Sequence, residues 1–288
     1  MLTRRESLVL GSATAWLALL PSPLFASYRT RLPAAIAAAE ARVGGRLGVA
    51  VLDTATGKLD GHRADERFPL CSTFKLLAVA CVLGRIDKGA ESLTREVPIP
   101  FGGLIEHSPV TGAHAGGVMK VASLCEAAMT ISDNTAANLL LATIDGPSGL
   151  TAWLRALGDP VTRLDRMEPD LNEAVPGDLR DTTSPAAMIG TMQRLLLGDA
   201  LSLASRERLT GWLIANKTGG KRLRAGLPSS WQVGDKTGSG QRGASNDVAI
   251  IWPPKQRPLL VAAYLADTRA APADRDATLA AVGRLVAG

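Results

Sequence analysis

Leu47-Gly48-Val49-Ala50-Val51-Leu52 is an unbroken apolar run, and its short length and β-branched content read as a strand buried on both faces. Asp53-Thr54-Ala55-Thr56-Gly57 follows as a turn, leading into a second strand toward His62. Upstream, the alanine-rich stretch Leu32 to Val43 with Ile36 reads as a helix ended by Gly44-Gly45. Similar strand signals return only near the other end of the chain, at Trp231 to Asp235, Asp247 to Trp252 and Leu259 to Leu265. A last helix is expected from Pro272 to Val286. Between the two groups of strands, Phe74 to Ile86, Val121 to Thr143, Leu150 to Leu157 and Pro185 to Leu197 carry apolar residues at helical spacing. Strands at both ends around a helical middle predict an α/β chain of the α+β type. One antiparallel sheet would be built from both termini with flanking helices, and an all-α lobe inserted in it. The expected division is 27–62 with 213–288 for the α/β lobe and 63–212 for the helical lobe, the functional cleft lying between them. One irregular stretch, Arg163 to Thr183, is long enough to suggest a working loop.

The 288 residues include 46% hydrophobic types and 20% charged ones, a composition that supports a large core and argues against disorder. The formal net charge is +5, with a pI near 9.4. Lys and Arg are scattered among Asp and Glu, and aromatics are only 4%, so no basic stripe marks a nucleic-acid partner. A mildly basic surface favours small anionic substrates instead.

The N-terminus reads as an export signal over residues 1–26: Arg4-Arg5, an apolar run from Leu8 to Leu20, Pro21 to Pro23, then Leu24-Phe25-Ala26 as a cleavage site. The paired arginines resemble a twin-arginine signal, with an ordinary secretory signal as the alternative. The mature protein is expected to begin near Ser27 and to be periplasmic or secreted, with no membrane span. Cys71, Cys81 and Cys125 allow at most one disulfide. His62, His107 and His114 have no metal-binding spacing, and neither metal nor cofactor is expected.

Ser72-Thr73-Phe74-Lys75 places a hydroxyl and an amine on one helical face, close enough for the amine to activate the oxygen. Alone, such a pair is more often a surface feature. Ser132-Asp133-Asn134, in a helical context, could be a helix cap. Lys236-Thr237-Gly238-Ser239, just after the strand ending at Asp235, could be a hairpin turn. In this order and spacing, however, the three resemble the Ser-x-x-Lys, Ser-Asp-Asn and Lys-Thr-Gly set of class A serine β-lactamases. Arg163-Leu164-Asp165-Arg166-Met167-Glu168-Pro169-Asp170-Leu171-Asn172 resembles the family's omega loop, and the likeness covers essentially the whole mature chain.

The resemblance implies hydrolysis of penicillins and cephalosporins through an ester on Ser72. In that reading Lys75, Ser132 and Lys236 handle protons and local potential, and the acylation base, Lys75 or Glu168, is left open. Backbone N–H groups of Ser72 and Ser239 hold the oxyanion, and Glu168 with Asn172 positions the deacylating water. Asn134, Lys236, Thr237, Gly238 and Ser239 bind substrate, and Arg166 with Asp181 closes the omega loop. Arg222 near the substrate carboxylate and His107 at the cleft mouth are further expectations, each rivalled by an exposed charge or loop histidine. Cys81 and Cys125 are expected to be buried thiols and not a bridge. A monomer acting on small β-lactams is expected. The alternatives are a penicillin-binding D-Ala-D-Ala carboxypeptidase or transpeptidase, which shares the acylating residues but not the deacylating pair, and an acylated sensor.

Overall fold

The computed structural model describes residues 32–288. The export-signal reading of 1–26 and the expected start near Ser27 lie outside them. The strands are β1 (Arg46–Asp53), β2 (Leu59–His62), β3 (Phe68–Pro69), β4 (Glu96–Pro98), β5 (Val118–Lys120), β6 (Thr182–Thr183), β7 (Gln232–Ser239), β8 (Ser245–Trp252) and β9 (Leu259–Ala266). The longer helices are α1 (Leu32–Val43), α2 (Phe74–Asp87), α3 (Val121–Thr130), α4 (Asn134–Ala142), α5 (Gly146–Ala156), α6 (Pro185–Leu196), α7 (Leu203–Ile214) and α8 (Pro272–Ala287).

The main sheet is antiparallel, in the order β2-β1-β9-β8-β7. It is therefore made from both ends of the chain, β1 lying directly against β9. Its inner strands β1 and β9 are near-continuous apolar runs because both of their faces are covered. Ala50, Leu52, Val248, Ile250, Leu260, Ala262 and Tyr264 face a large core shared with the middle of the chain. Val49, Val51, Ala249, Ile251, Val261 and Ala263 face the other way, onto Ile36 of α1 and Leu279 and Val282 of α8. The alternation within each run is the two-residue period of a strand.

The helical body is centred on α2, in which every residue from Phe74 to Leu83 is buried. Two expectations are corrected here. Val121 to Thr143 is not one helix: it breaks between α3 and α4, where Ser132 adopts φ +65°. Asp133 then caps α4, accepting from Ala136 N at 2.9 Å, while its other oxygen takes the N–H groups of Val110 and Thr111 at 2.9 and 3.0 Å. Lys236 to Ser239 does not follow a strand as a turn, because it is the last half of β7, paired with β8 through Ser239↔Ser245. Helix α6 packs on β1 and β9, and β4 with β5 forms a small ribbon within the helical middle. All three cysteines are buried thiols.

Candidate active site

Ser72 sits in a single 3-10 turn, Cys71–Thr73, that runs straight into α2. The turn is pressed against the end of β7. A Cβ on Gly238 would lie 3.0 Å from Leu70 O and 3.2 Å from Ser72 N, so any side chain there would crowd the backbone of the turn. Gly240 is under the same restriction, since a Cβ there would meet Cys71 Sγ at 2.7 Å and Asn172 O at 2.8 Å.

Around Ser72 the structure gathers side chains from its own helix and from three distant segments. Lys75 Nζ donates to Ser72 Oγ at 2.9 Å, one turn along α2. Ser72 Oγ donates to Glu168 Oε1 at 3.1 Å, and Lys75 and Glu168 form a wholly buried ion pair at 3.0 Å. The break between α3 and α4 turns Ser132 inward, where Lys75 Nζ reaches Ser132 O at 2.8 Å and Oγ at 3.2 Å. Lys75 also donates to Asn134 Oδ1 at 2.5 Å. From β7, Lys236 Nζ donates to the same Ser132 Oγ at 3.0 Å and to Thr237 O at 2.8 Å. Burial pushes the pKa of Lys75 down, against the pull of Glu168. Lys236 is pushed well below the ordinary lysine range, first by burial and then by the charge of Lys75.

Glu168 is carried by the 163–183 loop. At its neck Arg163 N donates to Thr182 O at 2.9 Å, and Asp181 takes the backbone N–H groups of Asp165 and Arg166 at 2.8 and 2.9 Å. Arg166 Nε adds an ion pair to Asp181 at 2.6 Å, and its Nη1 reaches Glu173 at 2.6 Å. Asn172, in the 3-10 turn Asp170–Asn172, donates to Glu168 Oε2. Its carbonyl takes Gln241 N at 2.9 Å, which fastens the loop to the end of β7.

Arg222 comes to the same edge. It donates to Gly238 O at 2.7 Å, Asn246 O at 2.8 Å and Ser239 Oγ at 2.8 Å, with Asp276 gripping its Nε at 2.8 Å. Thr237 Oγ1 is bonded to Thr218 Oγ1. His107 is exposed at φ +60°, its ring Nε2 3.2 Å from Ile131 O and its carbonyl accepting from Asn134 N at 3.1 Å.

Three contributors escaped the sequence reading. Asn138 brackets Glu168, accepting from its N–H at 3.0 Å and donating to its carbonyl at 2.9 Å. Its spacing from Asn134, one helical turn, was a usable signal. Asn246 fixes the approach to Ser72 by donating to Pro69 O and Leu70 O at 2.9 and 3.1 Å. Asp276 grips Arg222 from α8, far along the chain, and no local pattern announces it.

A serine beside a buried lysine and carboxylate, set where an antiparallel sheet meets a helical body, defines a serine hydrolase. The comparisons with known proteins narrow the class. A sequence model of the β-lactamase enzyme family matches residues 31–288. The chain is 50% identical over 250 residues to β-lactamase L2 of Stenotrophomonas maltophilia, covering 86% of this chain and 82% of that one. It is 45% identical over 286 residues to β-lactamase CTX-M-8 of Citrobacter amalonaticus, covering 99% and 95%. Among solved structures, a class A β-lactamase of the last common ancestor of Gram-negative bacteria superposes with a TM-score of 0.88 at 60% identity, covering 89% of this chain and 98% of that one. The chain belongs to the class A serine β-lactamases and hydrolyses β-lactam rings. Each of these relatives is a β-lactamase, and nothing among them supports the penicillin-binding-protein alternative.

Proposed function

We propose that Ser72 is the nucleophile and that Glu168 serves both halves of the reaction. The observation that carries this is the placement of Ser72 Oγ between Lys75 Nζ, which donates to it, and Glu168 Oε1, which accepts from it. A charged Lys75 has no lone pair, so the proton that leaves Ser72 passes to Glu168 while the lysine stabilises the forming alkoxide. Backbone N–H groups of Ser72 and Ser239 hold the carbonyl oxygen as it becomes an oxyanion.

Ser132 then protonates the departing ring nitrogen. Both lysines donate to its oxygen, so its own hydrogen is free to point at substrate. Lys236, Thr237 and Ser239, backed by Arg222, bind the substrate carboxylate. Asn134 meets the acylamino side chain, and His107 borders the mouth. Arrival of a carboxylate offsets the repulsion between Lys75 and Lys236 and favours the charged form of Lys236.

For deacylation, Glu168 activates a water that Asn172 helps to hold. Asn172 Oδ1 is buried without a hydrogen-bond partner among the described residues, which makes it an acceptor that a water satisfies. In this reading the 163–183 segment is the family's omega loop, locked by Arg166 and Asp181. The protein works as an exported monomer on penicillins and cephalosporins, without nucleic-acid partners, and confers resistance to them.

Ser72→Ala is expected to abolish turnover of a chromogenic cephalosporin, while the wild type turns it over many times. Peptide mass spectrometry with a slow substrate should find the adduct on Ser72. An adduct elsewhere, or a single stoichiometric burst from wild type, would sink the assignment.

A further inference from the structure

Behind the 163–183 loop lies a second cavity, of about 310 Å³, that the reaction does not use. Its walls come from the outer part of the loop, Leu171 and Ala174 to Arg180, and from Arg46, Arg67, Pro69 and Asp267 on the sheet side. Ser72, Lys75, Ser132 and Lys236 are not in its lining. Four guanidinium groups face it, and three are neutralised by carboxylates. Arg46 pairs with Asp267 at 2.8 Å, Arg166 with Asp181 at 2.6 Å, and Arg180 with Asp178 at 2.7 Å. Arg67 differs. Its Nη1 donates to Val161 O and Thr182 Oγ1 at 2.9 and 3.0 Å, and no carboxylate pairs with it among the described residues. Among the described residues the rest of its donor fork is uncommitted. Beside it stand Pro69, Leu171, Val175, Pro176 and Leu179, the last 55% exposed at the rim.

We propose that this cavity binds a small monocarboxylate with a short apolar body, seated on Arg67, and that its occupancy tunes deacylation. A guanidinium fork matches a carboxylate in geometry and charge, and the apolar wall takes the remainder of the molecule. A multiply charged anion fits worse, because Glu66, Asp178 and Asp267 line the same space. The coupling follows from connectivity. Leu171 is the residue before Asn172, which donates to Glu168, and Arg166 closes the loop's neck. A filled cavity stiffens the support of Glu168. This last step rests on the deacylating role proposed above, whereas the binding itself does not.

The test uses the mature enzyme with hexanoate as probe, followed by amide chemical shifts. Saturable shifts are expected at Arg67, Val175 and Leu179 but not at Ser72 or Ser239. Arg67→Gln should weaken binding roughly tenfold or more. Leu179→Asp leaves the bonds of Arg67 to Val161 and Thr182 untouched and should weaken it comparably, so a folding defect in the first variant does not decide the matter. Hexylamine, of the same length and opposite charge, should cause no such shifts. Shifts centred on Ser72 and Ser239, no saturation, or unchanged affinity in Leu179→Asp would overturn the site. Saturating hexanoate should also change the decay rate of a slow acyl-enzyme without changing its formation. Binding at Arg67 with an unchanged decay rate overturns the coupling alone, and the role of Glu168 is judged separately by Glu168→Ala.

Discussion

Lys75 has five oxygen neighbours, at Ser72, Asn134, Glu168 and twice at Ser132, and a protonated amine has three hydrogens to share among them. Only the charged form can exploit such a shell, yet burial works against that form. The buried carboxylate of Glu168 pulls the other way, so removing it changes Lys75 too. In Glu168→Ala the lysine loses its counter-charge, gives up its proton more readily and can itself accept the proton of Ser72. Acylation therefore slows but survives. Deacylation has no such substitute and is expected to fall by roughly 10²- to 10⁴-fold. Stopped-flow should record a burst equal to the enzyme concentration, and intact mass should show the ester persisting. Turnover at the wild-type rate without accumulated ester would refute the role of Glu168.

At the scale of elements, the 163–183 loop is held by its neck. Arg166→Ser removes the contacts to Asp181 and Glu173 while leaving the backbone bonds to Asp181. Small displacements of a general base are costly, so deacylation of good penicillins should drop by up to roughly 100-fold. Unfolding temperature serves as the control, and an unchanged deacylation rate would deny the neck its role. Helix α1 is pinned differently. Glu40 accepts from Arg63 Nε at 2.7 Å and Leu47 N at 2.8 Å, and lies 3.3 Å from His62 Nε2. Its hydrogen bond from Arg63 is the main reason its pKa falls to about 2 from 4.5. With the folded value below the unfolded one, this stabilisation is complete above pH 4.5 and is lost as pH falls toward 2. Glu40→Gln should cost on the order of 2 kcal/mol at pH 7 and almost nothing near pH 2, a difference that urea midpoints can follow. Elements were legible wherever local chemistry decided them, as in α1, which ends at Gly44-Gly45 as its pattern requires. The break at Ser132 was not. Its left-handed conformation is held by distant groups: Lys75 and Lys236 donate to the Ser132 hydroxyl, and the next residue, Asp133, takes the Val110 and Thr111 amides. Lys236 to Ser239 looked like a turn because Lys236 and Gly238 have little strand propensity, and pairing with β8 overrides it.

For the molecule as a whole, the two groups of strands and the helical middle were readable because burial on both faces leaves near-continuous apolar runs. Their order in the sheet was not, since β1 beside β9 is a matter of packing. The proposed export is likewise tested on the whole chain. Replacing Arg4 and Arg5 by lysines should abolish periplasmic β-lactamase activity if the twin-arginine route is used, and unchanged activity would reassign the signal to the ordinary secretory route. N-terminal sequencing of the periplasmic protein should begin near Ser27. The seating of β1 against β9 also sets a timetable. Val49 pairs with Ala263 and Asp53 with Leu259, so the strand made among the first has to wait for one made among the last. While the ribosome is still working through the helical middle, β1 has only the four residues of β2 as a strand partner. Such long-range pairing makes for slow closure and a lengthy exposure of sticky strand surface. The newborn chain cannot acquire its shape from the front. Its sheet closes only after synthesis has reached the other end, and until then chaperones have something to hold.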